Sequence, residues 1–105
     1  MSKYDVELYG AGMMAQAIGY ELEKNCEARQ VTVIDPDSNR YYAMSRRLRS
    51  LIGGRERIFN YRNDPPKNAL PHVIISAAPH TANVEIAQMA MDRGIPYCDL
   101  GGSHD

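Results

Sequence analysis

The fold of this chain turns on one stretch, Val6-Glu7-Leu8-Tyr9-Gly10-Ala11-Gly12-Met13-Met14-Ala15. A short apolar run gives way to two closely spaced glycines and then to residues of helical character. The stretch reads as a strand, a tight turn and the first turn of a helix, with the form G-x-G-x-x-A. In such a turn Gly10 permits the sharp exit from the strand, and Gly12 lets the backbone come close to a pyrophosphate. The small Ala15 lets the helix lie against the strand. Unpaired N–H groups at the positive end of the helix dipole would then receive the anion. Glycine pairs also occur in ordinary strand-to-helix connections, so the motif gains meaning only from the elements downstream of it.

Those downstream elements supply the context. From Met13 to about Lys24, Ala15, Ile18, Gly19 and Leu22 share one helical face. Val31-Thr32-Val33-Ile34 is a β-branched run without polar alternation, as expected of a parallel strand covered on both faces. It ends in Asp35, twenty-three residues beyond Gly12. In a dinucleotide fold that position takes the hydrogen bonds of an adenosine ribose. The other reading of Asp35 is a helix-capping aspartate, a task to which Asp37 and Ser38 are also suited. A carboxylate there repels a 2′-phosphate, so NAD is expected in preference to NADP, with Arg40 close enough to soften the preference.

Asn39 to about Ile52 is a second helix with Tyr41, Met44, Leu48 and Leu51 at inward spacing, ended by Gly53-Gly54. Arg46, Arg47 and Arg49 read as a solvated face rather than a phosphate patch. Arg57–Tyr61 is a short third strand at a sheet edge. Pro65, Pro66 and Pro71 then leave room for about one helical turn around Lys67 to Leu70, where a parallel sheet ordinarily has a full crossover helix. One sheet face is therefore expected to be thinly covered, and His72 to be a boundary residue. Val73–Ala78 is a buried fourth strand that runs into Ala77-Ala78-Pro79, small residues where a cofactor's ribose and nicotinamide would pass. Thr81 to Arg93 is a helix with Val84, Ala87, Gln88 and Met91 along one stripe, widened by Ile86, Met89 and Ala90. It is ended by Gly94, and Ile95–Leu100 forms the fifth strand. The expected architecture is α/β, a three-layer Rossmann-like domain. Its five-stranded parallel sheet has the order 3-2-1-4-5 and an irregular crossover between the third and fourth strands.

The 105 residues make one domain, 1–105. A net charge of -1 gives no footprint for nucleic acid, and no apolar run approaches a membrane span. The chain reads as cytoplasmic. Cys26 and Cys98 match no metal or redox spacing and read as buried or idle thiols, and no metal site is expected.

Four stretches carry a resemblance to a known family: Gly10–Ala15, Val31–Asp35, Val73–Pro79 and Tyr97-Cys98-Asp99-Leu100-Gly101-Gly102. The chain resembles the N-terminal cofactor domain of the saccharopine dehydrogenase and lysine 6-dehydrogenase family over essentially its whole length. The resemblance implies an oxidoreductase that uses NAD or NADP to transfer hydride at the carbon–nitrogen bond of an amino acid or related amine. It also implies that the substrate and proton-transfer groups lie largely in a second domain of a longer enzyme. By the same resemblance, Gly10, Ala11, Gly12, Met13 and Met14 form the pyrophosphate loop, with Asp35 on the adenosine ribose. Ala77, Ala78 and Pro79 would lie at the nicotinamide ribose, and Asp99 to Gly102 near the nicotinamide. The proline-rich crossover departs from the regular helix of the family. No catalytic residue is assigned: His80, Asp99 and His104 stand at strand ends near the nicotinamide position, where structural roles are commoner. The alternative is a nucleotide-sensing Rossmann module without catalysis, such as those that gate potassium transport. A third reading is an interaction domain with a vestigial site. The apolar fifth strand at the edge leads to the expectation of a homo-oligomer, which sedimentation at high concentration tests.

Overall fold

The computed structural model describes residues 4–25, 28–53 and 58–99. Among these residues eight elements run in the order β1 (Tyr4–Tyr9), α1 (Met13–Lys24), β2 (Ala28–Ile34), α2 (Ser38–Ile52), β3 (Phe59–Arg62), β4 (Val73–Ser76), α3 (His80–Arg93) and β5 (Tyr97–Asp99). All pairings are parallel and the sheet order is β3-β2-β1-β4-β5. The fold is the expected Rossmann arrangement.

The register explains why the two faces of the sheet differ. Val6 pairs with Val31 and Val73, Leu8 with Val33 and Ile75, and Val33 with Tyr61, so one face is a continuous apolar surface. Ala15 and Leu22 of α1 and Tyr41, Met44 and Leu48 of α2 close over it. Gly19 allows the close approach: a Cβ there would lie 3.2 Å from the Phe59 ring and 3.3 Å from Met44. Leu51, expected to face inward, is 55% exposed and Ile52 is buried instead. The helix turns its last inward position one residue on, toward its αL terminator Gly53. Gly54 and Arg57 lie outside the described residues.

The alternate residues Glu7, Thr32, Asn60 and Arg62 make the opposite face polar over β1, β2 and β3. Between Arg62 and Val73 the chain forms no helix at all, so the single turn expected around Lys67 to Leu70 is replaced by bends. One isolated turn fixes several dihedrals for very few hydrogen bonds, and prolines on both sides leave nothing to extend it. A cavity of ≈ 380 Å³ remains between this segment and the sheet, lined by Glu7, Thr32, Asn60, Arg62, Pro66 and Leu70 among others. The segment is held at discrete points. The His72 backbone N–H donates to Asp5 O at 2.8 Å, and His72 Nδ1 accepts from the Asp5 N–H at 3.1 Å. The larger tie is Arg93 at the end of α3. It makes two 2.9 Å bonds to the buried Glu7 carboxylate and donates also to the carbonyl of Ala69.

Helix α3 covers the β4 side of this face. Ile86 and Ala90 are buried against Tyr9, Ile34 and Ile74, while Val84 and Met91 are 75% and 72% exposed. The centre of the expected stripe is thus exposed, and Ile86 and Ala90, expected only to widen it, are the residues that face inward. The helix carries apolar residues almost all round, and its inward face is set by the i, i+4 pair Ile86 and Ala90. At β5, Cys98 is an exposed free thiol and not a buried one. Cys26 and Leu100 lie outside the described residues.

Candidate dinucleotide site

At the carboxyl end of β1, Gly10 has φ +97° and its N–H donates to Ile34 O at 2.8 Å. A Cβ on Gly10 would lie 2.9 Å from Ala77 O and 3.0 Å from Ala78 N, so the turn lies directly against the start of the β4–α3 loop. Ala11 is buried. Gly12 is the N-cap of α1 with φ -85°, an ordinary backbone conformation, and no atom lies within 4 Å of where its Cβ would be. No side chain caps α1, and its first turn has no acidic residue. The helix therefore presents amides to open space, the arrangement that receives an anion. Met13 and Met14 are exposed beside it, and Ala15 is fully buried under it.

Asp35 has a larger part in the architecture than its ribose assignment implies. It is 2% exposed. Its Oδ2 accepts the Ala11 N–H at 2.9 Å and its Oδ1 the Asp37 N–H at 2.8 Å, while Arg40 Nε stands 3.4 Å from Oδ2. Its own N–H donates to Arg62 O, and its carbonyl accepts the Tyr61 hydroxyl at 2.6 Å. One residue thereby joins the ends of β1, β2 and β3. The capping of α2 falls to Asp37, whose Oδ1 accepts the Asn39 N–H at 2.9 Å.

The small-residue turn after β4 is set by Ser76, which is buried. Its Oγ donates to Asn83 Oδ1 at 2.7 Å and accepts the Ala78 N–H at 3.2 Å, and the Ala77 N–H extends the ladder to Tyr9 O at 2.8 Å. Pro79 is the exposed N-cap of α3.

A mostly apolar cavity of ≈ 530 Å³ opens between these loops. Of the residues singled out in the sequence, Gly10, Asp35, Ala78 and Pro79 line it. Ala11, Gly12, Met13, Met14 and Ala77 do not, since the amide end of α1 lies beside the cavity. Sequence reasoning missed Ile34, Pro36, Pro65, Ile86 and Met89, which supply much of its apolar wall. The signal available was topological. In this strand order the loop after β3 and the first turns of α3 must both meet the end of β2.

Beyond the small-residue turn, the Tyr97 hydroxyl donates to Asp99 Oδ2 at 2.9 Å. Burial first, and then the Asp99 carboxylate, push the Tyr97 phenol up to about 12. That lies above the usual phenol value near 10, so the stability contributed by protonated Tyr97 is present below pH 10 and lost as pH rises toward 12. Alkaline unfolding followed by circular dichroism should steepen in that window, and Tyr97→Phe should flatten the slope. His80 is exposed at the start of α3 and Asp99 is exposed. Gly101, Gly102 and His104 lie outside the described residues. Among the described residues no cluster of His, Cys, Asp or Glu could hold a metal ion, and no helix is long and apolar enough to cross a membrane.

Known proteins bear on this geometry in three ways. No curated protein sequence matches the chain. Solved structures share its fold. Saccharopine dehydrogenase (L-Glu forming) from Saccharomyces cerevisiae superposes with a TM-score of 0.67 at 19% identity, covering 97% of this chain and 22% of that one. A myo-inositol dehydrogenase from Corynebacterium glutamicum gives 0.66 at 19%, covering 94% and 28%, and a diketoreductase gives 0.68 at 16%, covering 99% and 44%. The chain thus spans less than half the length of each of these proteins. The family profile described as saccharopine dehydrogenase NADP binding domain matches residues 6–104. Matched over nearly its whole length, the chain belongs to the saccharopine dehydrogenase NADP binding domain family, a family of dinucleotide-binding oxidoreductase domains.

Proposed function

We propose that the chain is the cofactor half of an oxidoreductase that moves hydride between NAD(P) and the C–N bond of an amino acid or related amine. The observation that carries the nucleotide part is the N-terminus of α1. Gly12 leaves open space, no side chain caps the helix, and the adjoining turn is locked to Asp35, which lines the mostly apolar cavity beside it. In this reading the amides after Gly12 bind the pyrophosphate, and Ile34, Pro36, Ile86 and Met89 receive the adenine. Ala77, Ala78 and Pro79 leave space for the nicotinamide ribose. The nicotinamide supplies the hydride chemistry, and the protein's part is to hold it in place and exclude water. Family membership supports the choice of an amine substrate, and in this reading its binding and proton-transfer groups belong to a second domain of a longer enzyme.

The reason for expecting NAD over NADP loses force in the folded chain. The Asp35 carboxylate is already bonded to two backbone amides and faced by Arg40, so less of its charge is left to repel a 2′-phosphate. The family is also described as NADP binding. Calorimetric titration with NADH, NADPH and ATP tests the reading. Saturable binding of a nicotinamide dinucleotide is expected. Tight ATP binding with no response to either dinucleotide would favour the nucleotide-sensing alternative.

A further inference from the structure

We infer that Arg93 is a positioning residue of the dinucleotide site: without lining that cavity, it holds the helix-free crossover between β3 and β4 where the crossover can serve as one of its walls. The inference rests on the dinucleotide reading above and concerns a residue outside the site. The crossover reaches the ≈ 530 Å³ cavity through Asn63, Asp64 and Pro65, which line it opposite Ile86 and Met89 of α3. A wall without regular structure has a fixed place only if packing or hydrogen bonds give it one.

Packing gives it little. The ≈ 380 Å³ cavity lies between Pro66, Ala69 and Leu70 and the sheet, and a further cavity of ≈ 410 Å³ lies between Pro65, Pro66 and Lys67 and the Met89 and Arg93 side of α3. The segment therefore stands off from both neighbours. Among the described residues, hydrogen bonds hold it at three places. Arg62 donates to the Asp64 carbonyl at 3.1 Å at one end, and His72 is joined to Asp5 at the other. Between them the Ala69 carbonyl accepts from Arg93 Nη2. Arg62 is a loose anchor, with its side chain 47% exposed, whereas that of Arg93 is 12% exposed. Both terminal nitrogens of Arg93 donate to the Glu7 carboxylate at 2.9 Å, so the guanidinium is oriented by the sheet and not by the crossover it holds. Glu7 also accepts from the Tyr9 hydroxyl, and the Tyr9 side chain belongs to the same cavity wall. One buried carboxylate thus sets the sheet wall directly and the crossover wall through Arg93. The Ala77–Pro79 turn is set separately, by Ser76 and Asn83.

The test is NMR titration of the chain and of three variants, Arg93→Met, Arg93→Lys and Glu7→Leu with Arg93→Met, using 5′-AMP and reduced nicotinamide mononucleotide as the two half-ligands. The double variant is the decisive one, because removing both charges returns stability while the Ala69 carbonyl still lacks its donor. Binding of 5′-AMP should weaken about tenfold in Arg93→Met and in the double variant alike, since an unheld wall must be ordered when the ligand binds. Binding of the nicotinamide half should stay within about twofold, its turn being set by other residues. Arg93→Lys keeps a donor for Glu7 and Ala69 and should restore part of the 5′-AMP affinity. In the double variant the amide signals of Asn63, Asp64 and Leu70 should move and those of Ala77 and Ala78 should not. Recovery of 5′-AMP affinity in step with thermal stability, or an equal loss for both half-ligands, would overturn the inference while leaving the dinucleotide site standing. Failure of the unaltered chain to bind 5′-AMP, NADH or NADPH would overturn the site itself and the inference with it.

Discussion

Gly10→Ala is expected to destabilise the domain by about 3 kcal/mol or more, whereas Gly12→Ala changes stability by no more than about 1 kcal/mol and removes dinucleotide binding. The two glycines stand two residues apart in one motif, yet different physics requires each. At Gly10, φ is +97°, a region that L side chains rarely enter, and a Cβ would meet the backbone of Ala77 and Ala78 at 2.9 to 3.0 Å. Neither the strain nor the overlap can be relieved by moving a flexible side chain, because β1 and β4 are paired there, Tyr9 with Ser76. At Gly12 the backbone is ordinary and the space around the missing Cβ is empty. The fold gains little from a glycine at that position, and the proposed pyrophosphate contact is what gives Gly12 its expected effect on binding. Urea denaturation measures the first effect and calorimetric titration with NADH or NADPH the second. Equal stability losses in the two variants, with binding retained in Gly12→Ala, would contradict this division.

Arg93→Ala should cost about 3 to 5 kcal/mol, a large share of the roughly 5 to 15 kcal/mol by which such a domain is stable. Glu7 is 2% exposed in the middle of β1, and its carboxylate accepts both 2.9 Å bonds from Arg93 and one from the Tyr9 hydroxyl at 3.0 Å. Removing Arg93 leaves that carboxylate buried without its counter-charge and also releases the carbonyl of Ala69 in the crossover. The loss should exceed that of deleting an exposed ion pair such as Arg29 with Asp5 by several fold. Glu7→Leu with Arg93→Met should recover part of the stability, since removing both charges abolishes the desolvation cost. Chemical denaturation of the two singles and the double gives the coupling directly. Simple additivity would mean that the pair does not act as a unit.

The legible parts of this fold were those written in local pattern. The glycine turn, the β-branched run ending at Asp35, the buried run Val73–Ser76 and the glycine stops after α2 and α3 each depend on neighbours within a few residues. Together they imply the strand order. The unread parts depend on distant partners. Glu7 lies 86 residues from Arg93, and nothing near it in the chain marks a buried carboxylate. Asp35 was legible as a special position, but its bonds to Ala11 and Asp37 and its pairing with Arg40 come from loop geometry that residue types alone do not encode. The centre of the α3 face falls on Ile86 and Ala90 and not on Val84 and Met91, which are as apolar, and helical periodicity cannot choose between two apolar stripes. Pro65 and Met89 joined the cavity only through the topology, since the crossover and α3 meet above β1 and β2.

If the open amide end of α1 and the adjoining cavity form one dinucleotide site, both must respond together to the same ligand. An NMR titration of the isotopically labelled chain with NADPH, read amide by amide, puts this to the test. The predicted result is saturable shifts concentrated at Gly12, Met13, Met14 and Ala78 and at the cavity residues Asp35, Ile86 and Met89, with the surface of α2 around Arg46 and Arg47 unmoved. Shifts confined to that arginine face, or an unchanged spectrum at saturating NADPH and NADH alike, would contradict it.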